Sequence, residues 1–342
     1  MWLIATDEAG YGPKLGPLVI TATTWHVPGA AVQDVAELHD AFEPYRRRID
    51  VDGVAVRVDD SKTVFKPRSA ISRSPVGVAK DPWGEVPPGL ASLHRIASSA
   101  ASLCHAPDRA FDAWLNQINP SDRSDREATP WLARPGAFGL AEDEFLGPIL
   151  DVWKAADASL RRIETRVVTA KRFNRFCQEG RNKSDLLSES TLGLVKSSLD
   201  HIVADEPSAE DPIVQVFCDR HGGRRYYGGA IQHAFDLSGL RIIGESKSES
   251  RYTGSLGPHG IDVRFTVKGD SFTPVGLSSL IAKYLRERMM LAVNRYFADR
   301  HKSEIPLRPT AGYPVDADRF LQDIRQTLRR ENIAADDLVR RR

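Results

Sequence analysis

Apolar residues fall along this chain in short runs, and several of those runs end in an acid. Residues 2–5, Trp-Leu-Ile-Ala, lead into Asp7 and Glu8, and Gly10, Gly12, Pro13, Gly16 and Pro17 follow. Buried strands are bounded by turn residues, so the stretch predicts a core strand ending in a tight acidic turn. Residues 18–25 are rich in β-branched and aromatic side chains and predict a second strand, placed to pair with the first as a hairpin. Residues 32–48 carry a loose helical period through Val35, Leu38, Phe42 and Tyr45 and end in Arg46, Arg47 and Arg48. A third strand is expected at 54–58, entering Asp59-Asp60-Ser61-Lys62.

From 65 to 158 prolines punctuate the chain, with short helical pieces at 90–104 and 108–118 and loops at 119–136, which reads as an insertion packed on a core. Regular patterning then returns. A strand is expected at 166–170 and a helix at 186–203, with apolar residues at 192, 195, 199 and 202. Residues 213–218 form an apolar strand running into Asp219, Arg220, His221, Gly222 and Gly223. Residues 261–267 alternate strictly between apolar and polar, the mark of a half-buried strand, and run into Lys268-Gly269-Asp270. A long helix is expected at 275–297 and a last one at about 316–330, before a basic tail ending in Arg340, Arg341 and Arg342.

Strands alternating with helices imply an α/β fold, in which ligand groups collect at strand ends. Three such ends carry Asp7 and Glu8, Asp219, and Asp270. If the strands are neighbours, these acids meet in one cleft, where cations must neutralise them or some must bind protons. No His/Cys pair at ligand spacing accompanies them. The donor set is hard and oxygen-rich, which favours Mg²⁺ or Mn²⁺ over zinc. In-line phosphoryl transfer assisted by two such ions is the reaction class that uses this arrangement.

Composition adds bounds. The chain has 342 residues, 41% hydrophobic and 27% charged, a globular profile long enough for a sizeable core. Its net charge of +1 names no partner. The three cysteines lie far apart with no CxxC, which predicts reduced core residues in a cytoplasmic protein. No signal peptide or membrane-length apolar run is visible, and a catalytic strand starting at Trp2 leaves no space for a targeting segment in front of it.

The ordered motifs resemble one family. Asp7-Glu8-Ala9-Gly10-Tyr11-Gly12-Pro13 is similar to the opening motif of type 2 ribonucleases H, the ribonuclease HII family. Asp60-Ser61-Lys62 resembles its DSK segment, and Asp219 its third metal-binding Asp. Lys268-Gly269-Asp270 with Ser278-Ser279-Leu280-Ile281-Ala282-Lys283 resembles its fourth Asp and the following helix, and Gly312-Tyr313-Pro314 its late GYP segment. The resemblance implies a ribonuclease H-like fold: a mixed central sheet flanked by helices. Here that core would be discontinuous, 1–64 and 159–300, with a mainly helical or irregular insertion, 65–158, and a C-terminal helical extension with a basic tail, 301–342. It also implies two divalent ions, Mg²⁺ or Mn²⁺, held by Asp7, Glu8, Asp219 and Asp270. The implied activity is cleavage of the RNA strand of RNA–DNA hybrids, or of ribonucleotide-containing duplex DNA, leaving 3′-hydroxyl and 5′-phosphate ends.

Substrate contacts are implied at Gly10, Tyr11, Gly12, Lys62 and Tyr313. The family usually has Gly-Arg-Gly, reading the ribose 2′-hydroxyl, where this chain has Gly10-Tyr11-Gly12, and a tyrosine supplies neither the charge nor the donor fork of a guanidinium. Lys283 and Ser279 are expected to shape the helix beside the site, and His221 reads as a solvated turn histidine. For Arg220, Arg224 and Arg225 two readings stand, phosphate contact or balance of the acids. The terminal arginines read as a disordered tail. Two alternatives to hybrid cleavage remain: a nucleic-acid-binding protein on a degenerate nuclease fold, and another nuclease of the same superfamily.

Overall fold

The computed structural model describes residues 1–28, 35–65, 86–104, 109–205, 213–235, 237–257 and 259–341. The predicted helix start at 32, residues 66–85 of the insertion and Arg342 lie outside them. The chain opens with β1 (Trp2–Ala9) and β2 (Leu18–His26), then α1 (Val35–Ala41), α2 (Glu43–Arg46), β3 (Ile49–Val51), β4 (Val54–Val56) and α3 (Ser61–Val64). The segment expected above to be an insertion supplies α4 (Ala91–Cys104), α5 (Phe111–Ile118), α6 (Arg123–Glu127) and α7 (Asp143–Lys154). There follow β5 (Ser159–Val168), α8 (Ala170–Gln178), α9 (Lys183–Asp205), β6 (Val214–Asp219) and α10 (Gly228–Ala234). Then come β7 (Ser238–Glu245), β8 (Glu249–Leu256), β9 (His259–Thr266), α11 (Thr273–Arg300), α12 (Pro314–Asp323), α13 (Arg325–Arg330) and α14 (Ala335–Leu338).

The main sheet has seven strands in the order β5-β2-β1-β6-β9-β8-β7. β1 pairs antiparallel with β2, and β2 with β5, whereas β6 runs parallel to both β1 and β9. β8 and β7 extend the β9 edge as antiparallel strands. This is a mixed seven-stranded sheet flanked by helices. The strand expected at 54–58 pairs only with β3, in a hairpin outside the main sheet.

The first half of β1, Trp2 to Ala5, is apolar without interruption because both its faces are covered. Leu3 and Ala5 join one core with α4 and α11, while Trp2 and Ile4 join the other with α9. The ladder does not stop where the sequence predicts a turn. Asp7 pairs with Thr21 and Glu8 with Ile20, so both acids sit inside the strand. The glycines begin only after Ala9, so nothing breaks the pairing earlier. Period-two alternation then puts Asp7 on the α11 face with Leu3 and Ala5, and Glu8 on the opposite face.

β9 departs from its half-buried pattern. Asp262 and Arg264 are only 5% and 7% exposed. They are buried as a set: Arg251 Nε donates to both Asp262 oxygens at 3.1 and 3.0 Å, and Arg264 Nε donates to one at 3.3 Å. Paired charge can enter an interior that excludes lone charge.

The insertion closes over α11. His94 on α4 hydrogen-bonds Tyr284 at 2.9 Å, and Arg288 lies between the rings of Phe111 and Phe138, 3.7 Å from each. α11 has the sheet on one side and the insertion on the other, so it is buried along most of its length. Among the described residues no helix is long and apolar enough to cross a membrane.

One buried carboxylate ties the insertion to the sheet. Asp122 accepts from Arg166 Nε at 2.9 Å, from Asn119 Nδ2 at 3.0 Å and from the Val167 N–H at 2.8 Å, and it also accepts from Arg172. Burial by itself raises its pKa, but the Arg166 and Arg172 guanidiniums and the Val167 N–H outweigh that and hold it below the usual carboxylate range. Asp122→Ala strands two guanidiniums, so denaturant unfolding should show a loss of about 3–5 kcal/mol. Because the folded pKa lies below the unfolded one, the contribution is complete above about pH 4 and disappears as pH falls through the folded value. Acid unfolding of Asp122→Asn should lack that component.

Candidate active site

Two parallel strands bring the acids together. The register pairs Thr6 of β1 with Cys218 of β6, so Asp7 and Asp219 emerge one residue later on neighbouring strands. Carboxylate oxygens of Asp7, Glu8 and Asp219 lie within 4.8 Å of one another. Asp270 stands at the margin of this cluster, in a 3-10 turn, Gly269–Ser271, between β9 and α11. The Gly269 N–H donates to Asp219 Oδ1 at 2.8 Å, and a Cβ on Gly269 would lie 3.1 Å from Asp219 Cα. The missing side chain at Gly269 lets the turn come this close to the end of β6 without displacing it.

The electrostatics are those of crowded acids. Burial pushes Asp7 well above the carboxylate range, the charges of Glu8 and Asp219 push it further, and a hydrogen bond from Ser279 on α11 offsets this in part. Burial and Asp219 raise Glu8 to about 8. Asp219 is raised by burial and by Asp270, and Asp270 by burial and by Asp60. Lys62 acts in the opposite direction on both Asp219 and Asp270, which places the Asp60-Ser61-Lys62 segment, at the start of α3, against this side of the site. The close donors are all carboxylate oxygens, buried or half-buried and mutually repelling. That set fits a hard divalent cation, and its chemistry does not suit zinc.

The turn after β1 is held from beneath. Gly10 has φ +93°, and a Cβ there would lie 2.6 Å from the Pro17 carbonyl oxygen and 2.7 Å from Arg286 Nε. Arg286, buried on α11, donates to the Ala311 carbonyl at 3.0 Å, and the Lys14 and Leu15 N–H groups both donate to Gly312 O, at 2.8 and 3.1 Å. The Gly10 turn and the Gly312-Tyr313-Pro314 segment are therefore one unit. Tyr313, 51% exposed, caps α12 at its surface.

The chain's end grips the same turn. Arg340 is buried, its backbone N–H donates to Lys14 O at 3.0 Å and its guanidinium to Pro13 O, while Leu15 bridges to Val339. Burial and the nearby Arg286 hold Arg340 down to about 9. Arg341 pairs with Asp336, and its N–H donates to Asn174 Oδ1 at 2.7 Å. Residues 340 and 341 are thus a packed strap, not the disordered tail their charge suggests. The backbone pairing of Val339 and Arg340 with 14–15 is invisible in composition.

The remaining candidates separate into surface and scaffold. Gly12 faces open space. The Tyr11 ring lies close to Gly222, with Lys183 Nζ 4.7 Å from its centroid. Lys283 pairs with Glu287 at 3.7 Å and lies over Phe65, outside the acid cluster. His221 is buried, bonded to Ser188 Oγ at 2.9 Å, and burial pushes it down to about 3, so it is not a solvated turn histidine. Arg220 donates to the Lys247 carbonyl at 2.6 Å, Arg224 pairs with Asp185 at 3.0 Å, and Arg225 donates to the Glu245 carbonyl at 3.4 Å. These arginines hold the loop after β6 to its neighbours. Arg286 belongs to no motif; its one sequence signal is an arginine beside the buried-face residues Leu285 and Met289 of a long helix.

A scan against protein-family models and a search of curated proteins found no match. Among solved structures, the chain is similar to the ribonuclease H2 from Pyrococcus horikoshii OT3, at 12% identity over 99% of this chain and 92% of that one, with a TM-score of 0.36. It is also similar to the ribonuclease HII of a PCNA complex from Archaeoglobus fulgidus, at 13% identity over 100% and 95%, TM-score 0.37. A third similar structure is Bst-RNase HIII in complex with Mn²⁺, at 12% identity over 99% and 66%, TM-score 0.37.

Proposed function

We propose that the chain is a metal-dependent endonuclease that hydrolyses the RNA strand of RNA–DNA hybrids, or cuts at ribonucleotides in duplex DNA, leaving 3′-hydroxyl and 5′-phosphate ends. The observation that carries this reading is the cluster of Asp7, Glu8 and Asp219 on adjacent parallel strands, with Asp270 at its margin. Asp7, Glu8 and Asp219 would hold Mg²⁺ or Mn²⁺, and Asp270 would complete the set for a second ion. Divalent ions bound there supply charge for an in-line phosphoryl transfer and make water a competent nucleophile at neutral pH.

The chain's own groups do the rest. Lys62, facing Asp219 and Asp270, offers a cation to a phosphate of the strand. Gly10 sets the turn, Gly12, which faces open space, lets a nucleic-acid backbone approach it closely, and the exposed Tyr313 offers a face to the adjoining sugar. Ser279 orients the Asp7 carboxyl through its hydrogen bond. A pure binding protein gains nothing from repelling, buried acids turned toward phosphate, which favours the enzyme over that alternative.

Three labelled duplexes test the reading: one with an RNA tract, one with a single ribonucleotide and one of DNA only. Cleavage of the first or second with Mg²⁺ or Mn²⁺ is expected, and Asp7→Asn should lower it on the order of a hundredfold or more. Robust cutting of the DNA-only duplex would overturn it.

Metal should also stabilise the fold, by about 2.7 kcal/mol at a hundredfold excess over Kd, and Asp7→Asn should lose most of that thermal shift. Because Glu8 is raised to about 8, the folded metal-free protein holds a proton that the unfolded chain releases near pH 4.5. This component of stability declines from about pH 4.5 to about 8. Protons compete with metal across the same window, so the metal-induced shift should be larger at pH 8 than at pH 6. Arg340→Met should raise KM about tenfold by loosening the turn and leave the metal-induced shift intact.

A further inference from the structure

A cavity of about 270 Å³ lies beside the candidate active site, lined by Glu43, Arg46, Arg47, Arg57, Val58 and Asp59. Three cations face two acids there. Arg57 is already paired to Asp59 at 2.7 Å. Among the described residues Arg46 and Arg47 are in no ion pair with a carboxylate, unlike the adjacent Arg48, which pairs with Asp50 at 3.0 Å.

The two arginines are held on a rigid support. They directly follow Tyr45, whose buried ring lies 5.0 Å from both Trp25 and Trp153, and whose hydroxyl donates to the Ala158 carbonyl at 3.2 Å. The Tyr45 carbonyl accepts the Val58 N–H at 2.9 Å, which binds α2 to the segment leading into Asp60 and Lys62. Val58 connects the cavity to the acids. A Cβ on Gly276 would lie 3.5 Å from Val58 Cγ1 and 2.9 Å from the Asp270 carbonyl oxygen, so the cavity wall and the turn carrying Asp270 pack on the same glycine. On the other side of that segment, Asp60 and Lys62 act on Asp270 through their charges.

We propose that this cavity is a phosphate subsite, in which Arg46 and Arg47 bind a backbone phosphate of the nucleic-acid strand that crosses the acid cluster. Guanidinium forks match phosphate oxygens in geometry as well as charge. A strand running over Asp219 and Asp270 past Lys62 continues toward Val58 and the cavity. The subsite rests on the nuclease reading for the identity of its ligand; its arginines contribute affinity and register and touch no reacting atom.

The test is the salt dependence of duplex binding in the Asp7→Asn background, with and without Arg46→Ala and Arg47→Ala together. Each phosphate contact contributes about 0.9 to the slope of log K against log salt. The double substitution should lower that slope by about one and weaken binding at low salt about tenfold, while Arg123→Ala, an exposed arginine on α6 paired with Glu127, leaves the slope unchanged. In the otherwise unmutated chain the double substitution should raise KM and spare kcat. An unchanged slope overturns the subsite. A thermal shift by inorganic phosphate that needs both arginines, with an unchanged duplex slope, assigns the cavity to a free anion and also overturns it. If the slope falls but the unmutated chain cuts none of the three duplexes, the subsite stands and the nuclease reading fails.

Discussion

Three carboxylates, one buried and two half-buried, held within 4.8 Å of one another are the constraint around which this molecule is built. Such a group repels itself and prefers to bind protons, so it persists only because the surrounding structure leaves it no alternative. β1 supplies that rigidity. It is paired on both edges and covered on both faces, and neither Asp7 nor Glu8 can move without breaking a ladder with β2. On the other side, the Gly269 N–H and the close approach of its backbone fix Asp219. The acids are positioned by backbone, and their repulsion is left for a cation to relieve.

A second constraint lies directly beneath the first turn. Arg286 and Arg340 are buried guanidiniums whose partners are chiefly main-chain carbonyls: Ala311 for Arg286 and Pro13 for Arg340. Two buried like charges are unfavourable neighbours, and burial and mutual repulsion both lower Arg340. Their burial becomes intelligible from the carbonyls that only long, forked donors reach. Through them the last residues of the chain, the 311–313 segment and the Gly10 turn form one body, so the surface offered to a substrate depends on residues hundreds of positions apart.

The insertion has a comparable structural logic. Asp122 gathers two arginines and a backbone N–H at the edge of β5, and Arg288 carries its charge between two aromatic rings under α4 and α5. These polar centres specify where the 86–158 segment docks on the sheet and on α11. They also bury α11 on the side away from the sheet, and so stiffen the helix that carries Ser279 and Arg286.

Local sequence determined a good deal. The apolar runs of β1 and β6, the hairpin of β1 with β2 and the long α11 are legible because each depends on periodicity and nearby turn residues. The acids at the ends of β1 and β6 announce themselves because a carboxylate beside a buried strand is chemically expensive. What only the tertiary structure decided are properties of distant pairings. The parallel register of β1 and β6 brings Asp7 and Asp219 together, and no local pattern encodes it. The polar face of β9 is buried because Arg251 lies opposite it, and His221 because helix α9 brings Ser188 to it. Arg340 reads as a tail residue until Leu15 and Val339 are seen to pair. In each case the deciding partner lies far along the chain, and a side chain's charge says nothing about whether such a partner exists.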